Sequence, residues 1–393
     1  MARGWKAVRN LALIVIAEAL LPAAVLADDW SEHGRQIVAA VGRDFYDANR
    51  ARAWVARHEH YADQLHDRDA FTEATRRVLK DLQASHTAYF TKDDPEYYGL
   101  ACIFQIKPEG EPPMIDSIGV DVAPGGFVRK VFAASPAEFA GLRRGDEIVS
   151  ADGEPFRPVV SFRGKAGRGV VLEVRSREGE PPRRVVVTPG RTEPQREWLA
   201  DQRHGAKVIE RKGRKIAYMP MFSAAGEEPQ SAVRDAILGK FAEADALVLD
   251  FRGGWGGADP GFVSLFDRSP PVLETVASNG VRSRYAPHWR KPLVLLINGG
   301  SRSGKEIVAF AVRKHRLGTL VGERTAGAVL AGQALPVGDG LLYLAGCDVL
   351  VDGERLEGVG VPVDVEVADR LRYAEGADPQ LDAALDEAAT ATR

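Results

Sequence analysis

The stretch "NGGSRSGKE", residues 298–306, has residue types that could do chemistry in two ways. It follows "PLVLLI", which reads as a buried strand, and precedes "EIVAFAVRKH", which reads as an apolar-periodic helix. Gly299, Gly304 and Lys305 fit the phosphate-loop pattern G-x-x-x-x-G-K-[ST], but Glu306 stands where a hydroxyl must hold Mg²⁺. A carboxylate beside phosphates repels the ligand. Such a loop also normally follows the first strand of its sheet, with a strand ending in a metal-binding Asp further on. Here the best such strand, "ALVLDFRGG", lies upstream. Nucleotide binding is not expected. The same turn suits a nucleophile. Ser303 sits between a strand end and a helix start, where the hydroxyl is displayed and the next N–H, that of Gly304, faces a developing oxyanion with help from the helix dipole. The plain alternative is that Ser301 or Ser303 caps the helix.

A serine nucleophile needs a base. Of the eight histidines, His58, His60 and His66 lie on an amphipathic helix or its end. Positions 58 and 60 point to different faces, which argues against a metal site. His204 and His288 sit in polar loop-like stretches, and His315 lies at a helix C-terminus. His86, in the short polar turn "SHT", stands apart from these. Lys305 is two residues from Ser303, a spacing at which helical side chains do not face each other. Asp250 ends a strand and could hold the following glycine loop through backbone N–H groups. Arg252 reads as a loop brace or a substrate contact, and Glu357 as a surface charge unless something else places it.

These residues need a sizeable scaffold, and 393 residues allow two or three domains. Residues 29–82 read as helices in "GRQIVAAVGRDFYDANR", "RAWVARHEHYADQL" and "DAFTEATRRVLKDL", the last capped by Asp69. Residues 99–190 read as short strands between Gly and Pro, with "SPAEFAGLRRGD" as a short helix and turn. From about 205, strands and helices alternate as in an α/β layer. The opening "MARGWKAVRN" and "LALIVIAEALLPAAV", ending in "VLA" before Asp28, read as an export signal over residues 1–27, or as an anchor if retained. Cys102 and Cys347 could pair in an exported protein, but equally read as unpaired small hydrophobes. The net charge of −3 gives no basis for a nucleic-acid partner.

Taken together, several of these stretches resemble the C-terminal processing, or tail-specific, serine protease family. "SIGVDV" with "VFAASPAEFAGLRRGDEIVSADGEPF" resembles the PDZ domain inserted in those proteases. "ALVLDFRGGWGGADPGFVSLF" resembles their strand and glycine segment, and "LVLLINGGSRSGKEIVAFAV" with "GTLVGERTAGA" their nucleophile segment. "VLKDLQASHTAYFT" is similar to their opening. One departure stands out. After the turn "GERTAG", Ala328 occupies the position of the Lys in the family's Ser–Lys dyad, and Ala cannot accept a proton. The tricorn-like branch instead pairs a Ser-His from the N-terminal segment with a nucleophilic Ser and a late Glu. Carried over, that gives Ser303 as nucleophile, His86 as general base, and Ser85 and Glu357 as orienting groups. Oxyanion donors would be the N–H groups of Gly304 and Gly256.

The resemblance implies an α+β multidomain protein: a signal over 1–27, an N-terminal helical module over 28–98, a PDZ-like domain over 99–190, and an α/β core of crotonase/ClpP-like type over 191–393. It implies an exported serine endopeptidase, periplasmic or extracellular, working through an acyl-enzyme. Its partner is a polypeptide, with no nucleotide, no metal and no organic cofactor, and the oligomeric state, a homo-oligomer included, stays open. Ile118, Gly119 and Val120 would form the loop that captures a peptide C-terminus, although this loop departs from the usual Gly-Leu-Gly-Phe form. The missing Lys also admits a second reading, a catalytically inactive PDZ-containing peptide-binding or scaffold protein.

Overall fold

The computed structural model describes residues 30–107, 110–267, 273–285 and 288–391; the expected signal segment lies outside them. A six-stranded sheet organises the C-terminal half, in the order Lys207–Arg211, Arg214–Pro220, Ala246–Asp250, Leu293–Ile297, Thr319–Gly322, Val365–Glu366. The first pair is antiparallel and the others are parallel. Successive residues of a strand point to opposite faces. In this sheet both faces are covered, so its central strands are continuous apolar runs rather than alternating ones. On one face Met219, Leu249 and Leu295 pack with Val233 and Ile237 of helix Glu227–Leu238 and with Val308 and Val312 of helix Gly304–Lys314. On the other, Tyr218, Val248 and Leu296 pack with Ala384, Leu385 and Ala388 of the final helix, Pro379–Ala391.

Helices α1 (Trp30–Asp44), α2 (Ala48–His58) and α3 (Arg68–Lys80) pack on a second, antiparallel sheet. That sheet joins strand Ala88–Thr91 to Gly340–Cys347 and Ala331–Val337, so the N-terminal segment is stitched into the C-terminal half. Phe71 of α3 meets Tyr89 edge to face at 5.6 Å. Strands Val120–Ala123, Phe127–Val131, Glu147–Ala151, Val170–Arg175 and Arg183–Val187 form a separate antiparallel sheet around Ile118, Val128, Leu142 and Val174.

The structure alters several local expectations. The helix read over 34–50 is two helices, because Asp47 in extended conformation accepts the N–H groups of Asn49 and Arg50 and starts α2. α3 is capped by Asp67, not Asp69, through the N–H of Ala70. Helices Pro95–Ile103 and Pro194–Gly205 were not legible. The first is apolar nearly all round, so it presents no periodic stripe. Cys102 is buried, Cys347 is exposed, and both are free thiols.

Candidate active site

The strand Leu293–Ile297 is buried throughout, and its chain then turns sharply into the helix that begins at Gly304. Ser301 holds that turn: its hydroxyl donates to the Phe251 carbonyl at 2.9 Å and accepts the Asn298 N–H at 3.1 Å. Asn298 Oδ1 in turn accepts the N–H groups of Gly300 and Gly253, at 3.0 and 3.1 Å. Ser303 is forced to φ 57°, ψ −129°. Such a conformation costs a non-glycine residue about 1–3 kcal/mol, and it persists only where its surroundings dictate it. Here they do. The Ser303 N–H donates to the Ala328 carbonyl at 2.8 Å and to Glu306 at 3.1 Å.

Glu306, which argued against a phosphate loop, is the internal staple of this site. It is 0% exposed. Besides the Ser303 N–H, its carboxylate accepts the N–H groups of Gly327 and Ala328, at 2.7 and 2.8 Å, and the Thr325 hydroxyl at 2.6 Å. Burial raises its pKa while these donors oppose the rise. The sequence signal was present but misassigned: a Glu three residues after a Ser at a helix start is capping-box spacing.

The glycine loop runs alongside. Asp250 Oδ1 accepts the Arg252 N–H at 3.1 Å, as expected of a loop-holding carboxylate. Arg252 is a brace: it pairs with Asp250 and with Asp378, each at 2.7 Å. Gly256 lies so close to the serine turn that an added Cβ would meet Ser303 Cβ at 2.5 Å. Among the described residues, neither the Gly256 nor the Gly304 N–H donates a hydrogen bond. The same added Cβ would lie 3.0 Å from the Gly304 nitrogen, so the two backbone segments run in contact.

Ser85, His86 and Glu357, far apart in sequence, form one hydrogen-bonded chain. The Ser85 hydroxyl lies 2.8 Å from Glu357 and 2.9 Å from His86 Nδ1. A hydroxyl has one proton. With Ser85 donating to the carboxylate, Nδ1–H must donate to Ser85, which leaves Nε2 with its lone pair. Glu357 also accepts the N–H groups of Ser85, Val329 and Leu330, at 3.1, 2.8 and 3.3 Å. His86 is itself in a left-handed conformation, φ 56°, with its ring 5.2 Å from that of Tyr343. Burial, with help from the nearby Arg302 charge and against that of Glu357, lowers its pKa to about 4. The chain reaches the serine turn through Ala328 and Val329, of which one accepts from Ser303 and the other donates to Glu357. No hydrogen bond joins His86 to Ser303 themselves among the described residues.

Lys305 does not face Ser303. It is 0% exposed, and its ammonium donates to the carbonyls of Phe222 and Gly253 at 3.0 and 2.8 Å. The remaining anticipated residues lie across a cleft of about 550 Å³, lined by Ile118, Val120, Trp198, Gly254, Gly300 and Arg302 among others. Ile118 is buried in the β-domain core, and the Gly119 N–H is already donated to Ser117 Oγ at 2.9 Å.

Residues 215–367 match the model of peptidase family S41. A carboxyl-terminal-processing protease of Picosynechococcus sp. is 27% identical over 310 residues, covering 74% of this chain and 71% of the relative. Tricorn protease homolog 1 of Streptomyces coelicolor is 31% identical over 274 residues, covering 64% of this chain but 25% of the relative. The crystal structure of the tricorn protease has the same fold over 92% of this chain and 36% of its own, with a TM-score of 0.58 at 19% identity. Over residues 215–367 the chain is similar to peptidase family S41, and it is a serine-type peptidase.

Proposed function

We propose that the chain is an exported, tail-specific endopeptidase that cleaves peptide bonds through an acyl-enzyme on Ser303, with His86 as base. The observation that carries this reading is the hydrogen-bonded chain Glu357–Ser85–His86, which leaves an imidazole nitrogen unprotonated and is tied to the serine turn through Val329 and Ala328. In the first step the Ser303 hydroxyl oxygen attacks the scissile carbonyl carbon as His86 Nε2 takes its proton. The charge that develops on the carbonyl oxygen meets the N–H groups of Gly304 and Gly256. Glu357 favours the imidazolium through Ser85. The imidazolium then protonates the leaving amine, the C–N bond breaks, and an ester remains on Ser303. Water repeats the sequence with His86 again as base, releasing the carboxylic acid. Hydrogen bonds of this kind often tighten only when substrate is bound, which suits the unjoined His86 and Ser303 of the free protein.

The segments before and within this core have supporting roles in the same reading: a helical module over 28–98 that carries the base, and a PDZ-like domain over 99–190 whose cleft leads substrate to the turn. The Gly119 N–H is donated to Ser117 Oγ, so capture of a free C-terminus there would first have to displace that bond. Export rests on the sequence of residues 1–27; no described helix is long and apolar enough to cross a membrane.

The test is reaction with a fluorophosphonate probe. The wild-type protein is expected to be labelled at Ser303, mapped by mass spectrometry of the digested adduct. Absence of labelling in folded protein at pH 7.5 would leave the inactive peptide-binding reading in its place.

The pH dependence gives a second expectation. kcat/KM reports the ionisation of the free enzyme. Since burial and Arg302 both disfavour the imidazolium, the acid limb should fall near pH 4 rather than near 6.5. Arg302→Gln removes one of the two lowering causes, so the limb should move up without reaching 6.5. A limb that stays put or moves down in that variant refutes the assignment of the limb to His86.

A further inference from the structure

Lys305 lies under the glycine loop with no hydrogen-bonded carboxylate among the described residues, an arrangement that needs a reason. A buried cation without a paired anion is unfavourable unless its protons are hydrogen-bonded. An apolar residue of the same length would sit there at less cost. What the ammonium holds is specific. It takes the Phe222 carbonyl, which also accepts the Trp255 N–H at 2.8 Å. It takes the Gly253 carbonyl too, whose residue is pinned through its N–H to Asn298 on the serine turn. The loop from 253 to 255 is therefore anchored to the strand end on one side and to the serine turn on the other. The next N–H along the chain is that of Gly256. Gly253 and Gly254 have φ values of 58° and 65°, and glycine leaves such a loop free to move unless it is tied.

We infer that Lys305 is a positioning residue: its ammonium, by holding the carbonyls of Phe222 and Gly253, aims the Gly256 N–H at the oxygen that develops charge during attack by Ser303. The inference rests on the proposed peptidase mechanism and adds a part to it. Burial lowers the Lys305 pKa to about 7, against the pull of Asp250. The arrangement tolerates either state, because a neutral amine still has two protons for two carbonyls.

The test is Lys305→Met, with Lys305→Gln alongside. The Gln side chain can still donate to one carbonyl, and it serves if the Met variant does not fold. Three quantities are compared with wild type: kcat and KM for a peptide substrate, the inhibition constant of a peptide aldehyde, and the affinity of the same peptide sequence on a Ser303→Ala background. The aldehyde forms a hemiacetal whose oxygen occupies the place of the oxyanion. Loss of one oxyanion donor costs roughly 10²–10³-fold, so a mis-aimed donor is expected to cost about 10–100-fold in kcat and as much in aldehyde affinity. KM and peptide affinity should change less than about threefold, and the acid limb of kcat/KM should not move. Parallel losses in peptide and aldehyde affinity would overturn the inference in favour of a purely structural lysine. A loss of kcat above about 10⁴-fold with disappearance of a limb near pH 7 would overturn it in favour of Lys305 as the base. Failure of the wild-type protein to hydrolyse peptide or bind aldehyde would instead strike the underlying mechanism, which keeps the two failures distinguishable.

Discussion

Ser303→Ala is expected to abolish peptide hydrolysis, lowering kcat by on the order of 10⁴–10⁶-fold. In the proposed mechanism the substitution removes the atom that forms the acyl bond, and little else changes. The N–H bonds to Ala328 and Glu306 that hold the turn belong to the backbone and survive the substitution. The variant should therefore melt at close to the wild-type temperature, bind peptide with unchanged affinity and lose the fluorophosphonate label. The measurement is progress-curve hydrolysis of a peptide substrate beside a thermal melt. Hydrolysis at more than about a tenth of the wild-type rate in a verified variant would remove Ser303 from the mechanism.

His86→Ala should be nearly as damaging, because nucleophile and base act as one unit and losing either forfeits most of what both supply. The structure adds a property that separates this residue from a simple packing group. His86 is held neutral, so its depressed pKa also links to stability. Its contribution is fully present above the unfolded-state value of about 6.5 and is lost as pH falls towards about 4, since the unfolded chain binds the proton first. Hydrolysis by His86→Ala should be reduced on the order of 10³-fold or more at pH 7.5. Its stability should decline less than that of wild type between pH 6.5 and 4. Activity is measured as above and stability by urea titration across that range. A variant with near-normal kcat would require another base, and an unchanged pH slope of stability would mean that His86 is not buried in its neutral form.

Much of the C-terminal sheet was legible because its strands are buried on both faces and so read as unbroken apolar runs, such as "PLVLLI" and "ALVLD". The helices that carried an apolar stripe were legible for the matching reason. Pro95–Ile103 was not, since surroundings on all sides removed the stripe. At the site, the roles of both Ser85 and Glu357 beside His86 came only from the likeness to a known family. Glu306 and Lys305 were visible as residues but not as parts. A buried carboxylate with four donors and a buried ammonium with two acceptors look, in sequence, like ordinary charges at a helix start.

The amino-acid sequence by itself determined that Ser303 would stand where a buried strand bends into a helix and that His86 would sit in a short polar turn apart from the other histidines; that Ala328 fills the dyad position and that His86 serves as base came from the likeness to a known family. The first two are matters of local pattern, which neighbours along the chain reveal. Only the tertiary structure decided that Glu357 would hold Ser85 from 272 positions away, that Glu306 would staple the serine turn, and that Lys305 would turn inward beneath the glycine loop. Hydrogen bonds between distant segments depend on how packed elements meet in space, and that geometry leaves no periodic trace in the order of the residues.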